Sequence, residues 1–164
     1  MSDNLPNPGV LNNPTETTNS TRRVTLLYAA AAFVALVGLA DSIYLAVEHL
    51  SGRSVKCTIV SGCSEVLSSP YATVRGIPLA LIGAAAYFSA FSLATLAAFD
   101  YKIAGKLLAV LAGLMLLTTV WLVYLQAFVI GHFCQFCLLS ALVTTVLTIL
   151  AVLGLRGKLK VVKY

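Results

Sequence analysis

The chain has 164 residues, of which 59% are hydrophobic and only 10% are charged, and its mean hydropathy is +0.92. Soluble domains carry roughly 25% charged residues, so this composition excludes an ordinary soluble protein and indicates an integral membrane protein. Because the apolar runs are continuous and do not alternate with polar residues, they predict membrane-spanning helices and exclude a β-barrel. The net charge of +5 does not indicate nucleic-acid binding, since the basic residues mark the ends of the apolar runs.

The chain begins with residues 1–23, a polar segment rich in Asn, Pro, Thr and Ser that is predicted to be a disordered cytoplasmic tail. The first apolar run covers about 24–47. The stretch TRRVTLL, followed by small residues around Gly38, resembles a signal peptide with a cleavage site. Because the apolar run continues past Asp41, we expect a helix that is retained.

Three further apolar runs cover about 77–99, 103–130 and 136–155. Each reaches the roughly 20 residues that are needed to cross the hydrocarbon of a bilayer. The sequence therefore predicts an all-α, four-transmembrane-helix bundle over residues 24–155, followed by a basic cytoplasmic tail at 156–164.

Lysine and arginine residues are distributed unequally between the two ends of the predicted bundle. One end has the two tails and the 100–106 loop, and eight basic residues lie there: Arg22, Arg23, Lys102, Lys106, Arg156, Lys158, Lys160 and Lys163. The other end has three, Arg53, Lys56 and Arg75. The positive-inside rule predicts that both termini are cytoplasmic and that the protein is a multi-pass protein of the inner or plasma membrane.

The four cysteines form two close pairs on the predicted outer side. Cys57 and Cys63 lie in the 48–76 loop, whereas Cys134 and Cys137 form a Cys-x-x-Cys at the start of the fourth helix. A helix N-terminus stabilises a thiolate, which makes a thiol competent for exchange. A loop pair and a rigid pair at the edge of the membrane favour a thiol–disulfide relay that ends at a lipid-soluble carrier, for which a quinone is the natural candidate.

Two other interpretations of the cysteines are structural. Four cysteines can form a zinc site, and two pairs can form plain disulfides that connect the outer loops. Either would make the chain a non-catalytic membrane module. A zinc site usually stabilises small soluble domains that lack a core, and this bundle has one, so no metal is expected.

Asp41 lies within the first apolar run, where an acidic residue is a candidate functional group. Its position near the outer end also allows it to reach water, or to pair with Lys56 or Arg75. Both a proton-transfer role and a solvated role therefore stay open at this point.

The segments CSEVLSSPYATVRGIPLALIG (63–83) and FCQFCLLSA (133–141), with Cys57 upstream, resemble the bacterial homologues of vitamin K epoxide reductase. The resemblance covers about residues 24–155. It implies a four-helix bundle around a quinone, in which the cysteine-bearing outer loop contains a short half-helix that caps the pocket.

The resemblance also implies roles for individual residues. Cys57 would exchange with a thioredoxin-like partner, and Cys63 would then reduce Cys134 through a mixed disulfide. Cys137 would lie nearest the quinone and form a charge-transfer or covalent adduct with it. Ser69 would supply the hydroxyl at the end of the half-helix, and the quinone would be lined by Leu67, Tyr71, Leu122, Gln126 and Ile130.

Two departures from the vertebrate enzymes refine the expected reaction. Those enzymes hydrogen-bond the quinone through an Asn and a Tyr, and the approximately matching positions here are Leu79 and Ala141. This difference favours reduction of an ordinary quinone, of ubiquinone or menaquinone type, over reduction of a vitamin K epoxide.

The expected function is thus a membrane thiol–quinone oxidoreductase that supports disulfide formation. Many bacterial relatives carry a fused thioredoxin-like domain, whereas only residues 156–164 follow the fourth run here. The expected partner is therefore a separate DsbA-type protein in the periplasm or outside the cell. The DsbB-type oxidases do similar work, but their cysteine spacing differs from the Cys-x5-Cys and Cys-x-x-Cys pairs of this chain.

Overall fold

The computed structural model describes residues 14–51, 63, 66, 72–101 and 103–162. Within this part of the chain lie four long helices, α1 (Pro14–Leu50), α2 (Leu79–Ala98), α3 (Ala104–Leu125) and α4 (Gln135–Val162). Each contains a segment that is long and apolar enough to cross a membrane. The prediction of an all-α, four-helix membrane fold is confirmed.

The first and last helices of the bundle are longer than the apolar runs that predicted them. Helix α1 begins at Pro14 and so continues through residues 14–23, ahead of the first apolar run. Helix α4 likewise continues to Val162, through the residues that were expected to form a basic tail. Backbone hydrogen bonding does not depend on hydrophobicity, and proline suits the first position of a helix, so a helix can extend beyond the membrane.

The helices form a closed bundle in which α1 packs against α2 and α4, and α3 packs against the same two helices. Helices α2 and α4 therefore lie diagonally across the bundle interior. The contact faces consist mainly of small buried residues, such as Ala31 and Ala35 on α1 and Ala90 and Ala94 on α2. Small side chains let helix backbones approach closely, which stabilises association in lipid, where apolar burial alone provides little driving force.

Large apolar side chains point away from the bundle. Phe33, Leu117 and Phe128 are each at least 69% exposed. In a soluble protein such a surface would drive aggregation, whereas on a membrane-spanning bundle it faces lipid.

The two ends of the bundle carry different features. At one end, Lys158 on α4 forms a 2.8 Å ion pair with Asp100 in the turn between α2 and α3. At the other end, Tyr44 on α1 contacts Phe136 on α4, with ring centroids 5.2 Å apart, beside the Cys-x-x-Cys pair. The first end contains the 100–106 loop, which the sequence predicts to be cytoplasmic. The second end contains Cys134 and Cys137.

A short hairpin precedes α2 and was not predicted. Strands β1 (Thr73–Val74) and β2 (Ile77–Pro78) pair antiparallel. The two residues between them, Arg75 and Gly76, have positive φ values of 52° and 82°, which are the backbone conformations of a tight hairpin turn. The hairpin leads directly into α2 and brings Pro78 to the N-cap of that helix.

Tyr28 is fully buried in a slot between two glycines near the α2–α3 end of the bundle. A Cβ at Gly105 would lie 2.5 Å from the Tyr28 hydroxyl oxygen, and one at Gly154 would lie 2.9 Å from Cζ. That hydroxyl is buried and has no hydrogen-bond partner among the described residues. The ring therefore holds α1, α3 and α4 together by packing, and within this part of the chain no hydrogen bond offsets the burial of the hydroxyl.

We expect Gly105→Ala to lower the free energy of unfolding by about 1–3 kcal/mol, because the new methyl group overlaps the Tyr28 hydroxyl. Adding Tyr28→Phe removes the overlapping oxygen and should restore most of that loss. Thermal unfolding of the detergent-solubilised protein, measured for both single variants and the double variant, tests this coupling.

Gly113→Ala provides the matched control, since nothing lies within 4 Å of the position of its Cβ. This substitution should be neutral or stabilising because alanine favours the helix. Equal destabilisation by the two alanine substitutions, or no recovery in the double variant, would contradict the packing explanation.

Candidate functional site

Cys134 is the N-cap residue of α4. The helix begins at Gln135, and the N–H of Leu138 donates to the Cys134 carbonyl at 3.0 Å. An N-cap side chain accepts hydrogen bonds from N–H groups of the first helical turn. The Cys134 sulfur does so, with the backbone N–H groups of Phe136 and Cys137 as donors. The sequence prediction of a Cys-x-x-Cys pair at a helix start therefore corresponds to a specific capping geometry.

This geometry favours the thiolate form of Cys134. The Cys137 thiol lowers the pKa of Cys134 to about 7 by donating a hydrogen bond to its sulfur, and the two backbone N–H groups act in the same direction. Burial opposes them, as does the negative charge of Asp41, but the hydrogen bonds dominate. Near neutral pH, Cys134 is therefore a thiol with a substantial thiolate fraction, which is the nucleophilic form.

Gln126 connects the end of α3 to the cysteine pair. It opens a five-residue π-helix, Gln126–Ile130, which ends at Gly131 with φ at 70°. Its side-chain oxygen accepts a hydrogen bond from the Cys134 N–H at 3.2 Å, and its side chain also hydrogen-bonds to Cys137. The Gln126 side chain is buried in the bundle, with 3% of its surface exposed, and single π-helical turns occur frequently at functional sites.

Cys63 packs directly beside the Cys-x-x-Cys pair. Cys63, Val66 and Cys134 form one buried cluster, against which Ile130, Phe136 and Cys137 pack. Cys63 is in a disulfide bond, whereas Cys134 and Cys137 are free thiols. The disulfide of Cys63 therefore involves neither helical cysteine, and the described state combines an oxidised loop cysteine with a reduced helical pair. Cys57 lies outside the described residues.

A cavity of about 360 Å³ begins at the cysteine pair and continues between the helices. This volume lies within the range of small-molecule sites, roughly 300–1,000 Å³. Its wall is mainly apolar and includes Leu111, Leu114 and Met115 of α3. Cys137 lines the cavity and Cys134 does not. The two thiols therefore face different neighbours: Cys137 faces the cavity and Cys134 faces Cys63.

The predicted quinone-lining residues fall into two groups. Leu122, Gln126 and Ile130 all line the cavity. Leu67 and Tyr71 lie outside the described residues, as does Ser69. The predicted half-helix is described only at Cys63 and Val66, both of which are helical, and Val66 lines the cavity.

Of the two positions that distinguish this chain from the vertebrate enzymes, Leu79 lines the cavity and Ala141 does not. The neighbouring Ser140 does line it. On this part of α4, the side chain that faces the cavity is therefore the polar Ser140, one residue before the position that was matched to the vertebrate Tyr.

Sequence reasoning missed a group of hydroxyls on the cavity wall. The hydroxyl of Tyr87 on α2 lies 2.8 Å from the Ser140 hydroxyl and 2.7 Å from the Thr144 hydroxyl, and all three residues line the cavity. One signal was present in the sequence. Ser140 and Thr144 lie three and seven residues after Cys137, so all three share one face of α4.

Asp41 is buried in the bundle, with 9% of its surface exposed. Its Oδ2 oxygen has no hydrogen-bond partner among the described residues. Of the expected partners, Arg75 is exposed on the hairpin and Lys56 lies outside the described residues. Asp41 is close enough for its charge to raise the pKa of Cys134. Of the two roles that the sequence left open for Asp41, the structure does not place it in the solvated position.

Comparison with known proteins yields one match at the level of families. The model of the vitamin K epoxide reductase family matches residues 29–152, which include α2 and α3, the larger part of α1 and of α4, and all four cysteines. No individual curated protein matches the chain.

The hydrogen bond between the two thiols predicts a measurable titration. In the reduced protein, the thiolate absorbance near 240 nm should rise with a midpoint at about pH 7. Below this pH the Cys134 thiol is protonated and slow to exchange, and above it the thiolate dominates. In Cys137→Ala the main donor is lost, so the midpoint should rise toward the ordinary cysteine value of about 8.5.

Cys134→Ala is the control, because it should remove the transition near pH 7. A wild-type midpoint near 8.5, or an unchanged midpoint in Cys137→Ala, would show that the Cys137 thiol does not stabilise the Cys134 thiolate.

Proposed function

The chain belongs to the vitamin K epoxide reductase family, and on that premise we propose that it oxidises a separate thioredoxin-fold protein outside the cytoplasm and reduces a membrane quinone. Family membership supports a membrane, quinone-linked thiol oxidoreductase in general. The identity of the partner, the direction of the reaction and the roles of the four cysteines belong to the proposal.

One observation supports the relay most strongly. The helical cysteine pair lies between two environments, since Cys134 packs against Cys63 and Cys137 lines the apolar cavity. An electron relay between a protein dithiol and a lipid-soluble ring needs such an arrangement, with one sulfur reachable by the loop cysteine and the other by the ring.

The proposed exchange begins at the loop. A dithiol of the thioredoxin-fold partner reduces the Cys57–Cys63 disulfide through a mixed disulfide with Cys57, and the partner leaves oxidised. The thiolate of Cys63 then attacks Cys134 of an oxidised Cys134–Cys137 pair and releases Cys137 as a thiol. Attack by Cys57 on Cys63 resolves this mixed disulfide, which restores the loop disulfide and leaves Cys134 and Cys137 reduced.

The second half-reaction regenerates the helical disulfide. Cys134 and Cys137 together lose two electrons and two protons as their disulfide forms, and the quinone gains both to become the hydroquinone. Cys137 is proposed as the sulfur that meets the quinone ring, because it lines the cavity. The described state, with Cys63 oxidised and the helical thiols free, fits the point between the two half-reactions.

The residues of the cavity suit a quinone. Its apolar wall from α3 matches the ring and an isoprenoid chain, and Gln126 provides a polar group beside Cys137. The hydrogen bonds that lower the pKa of Cys134 also suit it to disulfide exchange. A stabilised thiolate is both a better leaving group when a disulfide breaks and a more abundant nucleophile when one forms. Ser69, Leu67 and Tyr71 are proposed to complete the pocket from the outer loop.

The alternative of a non-catalytic membrane module is less well supported. Two structural disulfides would require Cys134 and Cys137 to be bonded, but both are free thiols. A Cys₄ zinc site would require four thiolates, and the disulfide of Cys63 leaves that cysteine with none to offer.

Replacing single cysteines separates the two ends of the relay. Cys57→Ala should lose oxidation of a protein dithiol but retain quinone reduction with dithiothreitol, because a small reductant can reach the inner cysteines directly. Cys137→Ala should abolish both activities. Reduced thioredoxin-fold protein and dithiothreitol, each with ubiquinone-1, are the two assays, and quinone turnover in Cys137→Ala would disprove its assigned role.

The proposed orientation can be tested in a variant without the four native cysteines. Arg75→Cys on the exposed hairpin should react with a membrane-impermeant maleimide added to intact spheroplasts. Lys106→Cys, exposed near the start of α3, should react only after the membrane is opened. The reverse labelling pattern would place the cysteine pairs on the cytoplasmic side and contradict the positive-inside prediction.

A further inference from the structure

We propose that the hydroxyl cluster of Tyr87, Ser140 and Thr144 is the hydrogen-bond donor site for a carbonyl oxygen of the quinone. The proposal rests on the proposed function, since it assigns a recognition site within the same cavity. It identifies the ligand group that the cluster binds and the residue, Tyr87, that discriminates a quinone from an apolar molecule of similar shape.

The cluster spans the bundle interior. Tyr87 reaches from α2 to the diagonal helix α4, where its hydroxyl lies 2.7 Å from Thr144 Oγ1, 2.8 Å from Ser140 Oγ and 3.1 Å from the Ser140 carbonyl. Tyr87 is 2% exposed and Thr144 is 1% exposed. All three residues nevertheless line the cavity, so the polar atoms are shielded from the protein exterior but adjacent to the proposed ligand space.

Its position along α4 relates the cluster to the reactive thiol. Cys137, Ser140 and Thr144 are spaced three and four residues apart and line one cavity. A rise of about 1.5 Å per residue places Ser140 roughly 4.5 Å and Thr144 roughly 10.5 Å from Cys137 along the helix axis. A quinone ring that meets the Cys137 sulfur at one edge therefore directs its far carbonyl oxygen towards these hydroxyls.

The cluster can supply a hydrogen without leaving a buried group unpaired. Tyr87 donates its longest bond, 3.1 Å, to the Ser140 carbonyl, and a carbonyl inside a helix already accepts a backbone hydrogen bond. The hydroxyls of Ser140 and Thr144 can both donate to the Tyr87 oxygen. Tyr87 can therefore redirect its hydrogen to a quinone oxygen, and that bond strengthens as reduction places negative charge there.

Two other polar groups on the cavity wall, Gln126 and Thr118, are less suited to this role. Gln126 is already engaged with Cys134 and Cys137, and the Thr118 hydroxyl donates to the carbonyl of Leu114 on its own helix. The ring of Tyr87, in contrast, is fixed by packing against Gly38 of α1. A Cβ at Gly38 would lie 2.3 Å from Tyr87 Cε1, so the glycine provides the space into which the ring fits against α1.

An interhelical hydrogen bond could by itself explain a buried tyrosine, so the test must measure the ligand as well as the fold. Tyr87→Phe removes the hydroxyl and retains the ring against Gly38. Tyr28→Phe is the matched control. Tyr28 is also fully buried against glycines, but its hydroxyl has no partner in the part of the chain that the structure describes, and the residue does not line the cavity.

The first measurement is quinone kinetics of the full chain in detergent, with dithiothreitol as reductant and ubiquinone-1 or menadione as acceptor. Loss of one buried hydrogen bond corresponds to roughly a five- to tenfold change in affinity. We expect Tyr87→Phe to raise the KM for both quinones by about this factor, with a smaller change in the KM for dithiothreitol. Tyr28→Phe should leave both values unchanged.

The second measurement is the infrared carbonyl band of bound ubiquinone-1. A hydrogen bond lowers the stretching frequency of the carbonyl that accepts it, so one of the two carbonyl bands should shift upward in Tyr87→Phe and remain in place in Tyr28→Phe. A purely structural role of Tyr87 would reduce thermal stability but would not change this band. If Tyr87→Phe cannot be purified, Thr144→Val is measured instead. It removes one of the two hydroxyls that donate to the Tyr87 oxygen, so it should change the KM and the carbonyl band in the same direction by a smaller amount.

The outcomes separate this inference from the proposed function. If wild-type protein reduces ubiquinone-1 and the hydroxyl variant retains both the KM and the carbonyl band, the cluster is structural and this inference is overturned alone. If wild-type protein neither binds nor reduces either quinone, the proposed function fails and the inference fails with it.

Discussion

The hydrogen bonding of the Cys134 sulfur is the interaction on which the candidate site depends. A helix start leaves N–H groups without intrahelical acceptors, and here the Cys134 sulfur accepts from two of them while the Cys137 thiol provides a third donor. This arrangement fixes both sulfurs relative to α4. Because Cys134 caps the helix, it remains at the loop-facing edge, and Cys137 is one turn further into the bundle, where the cavity begins.

The cap depends in turn on the end of α3. Gln126 accepts the Cys134 N–H, and the π-helical turn that begins at Gln126 ends in a left-handed glycine, Gly131. The chain can then reverse direction within four residues and begin α4 beside α3. Gln126 itself continues the regular geometry of α3, with its N–H donating to the Leu122 carbonyl, so the end of α3 holds the backbone of the Cys134 cap.

Close helix packing produces both the rigid part of the bundle and its cavity. Near the α2–α3 turn, glycines enclose Tyr28 and leave no space. Near the cysteines, a mainly apolar cavity lies between the helices. Tyr87 lies between these two regions, with its ring packed on Gly38 and its hydroxyl at the cavity wall. The two tyrosines pack on glycines in similar ways but differ in their hydroxyls: within the described residues, the Tyr87 hydroxyl has hydrogen-bond partners and the Tyr28 hydroxyl has none.

The four helices, the membrane class and the family could be predicted from the sequence, because length and continuous hydrophobicity suffice to identify a span in a solvent that offers no hydrogen bonds. The helix ends at Pro14 and Val162 could not be predicted from the sequence. Hydrophobicity indicates where a helix leaves the membrane, but it does not indicate where backbone hydrogen bonding ends. The hairpin at Arg75 and Gly76 was missed because two-residue strands have no periodic pattern. Cys-x-x-Cys spacing predicted a reactive pair, and the lining by Leu122, Gln126 and Ile130 was anticipated through the family resemblance.

What the sequence by itself determined is chemistry that depends on neighbours along the chain: which segments span, which cysteines share a helix turn, and which residues lie on one helical face. Only the tertiary structure decided which sulfur faces the loop and which faces the cavity, and which side chains from distant segments meet there. Tyr87 and Ser140 are 53 residues apart, and their contact depends on α2 and α4 being diagonal in a closed bundle. That arrangement results from packing among all four helices, and no local pattern in the sequence records it.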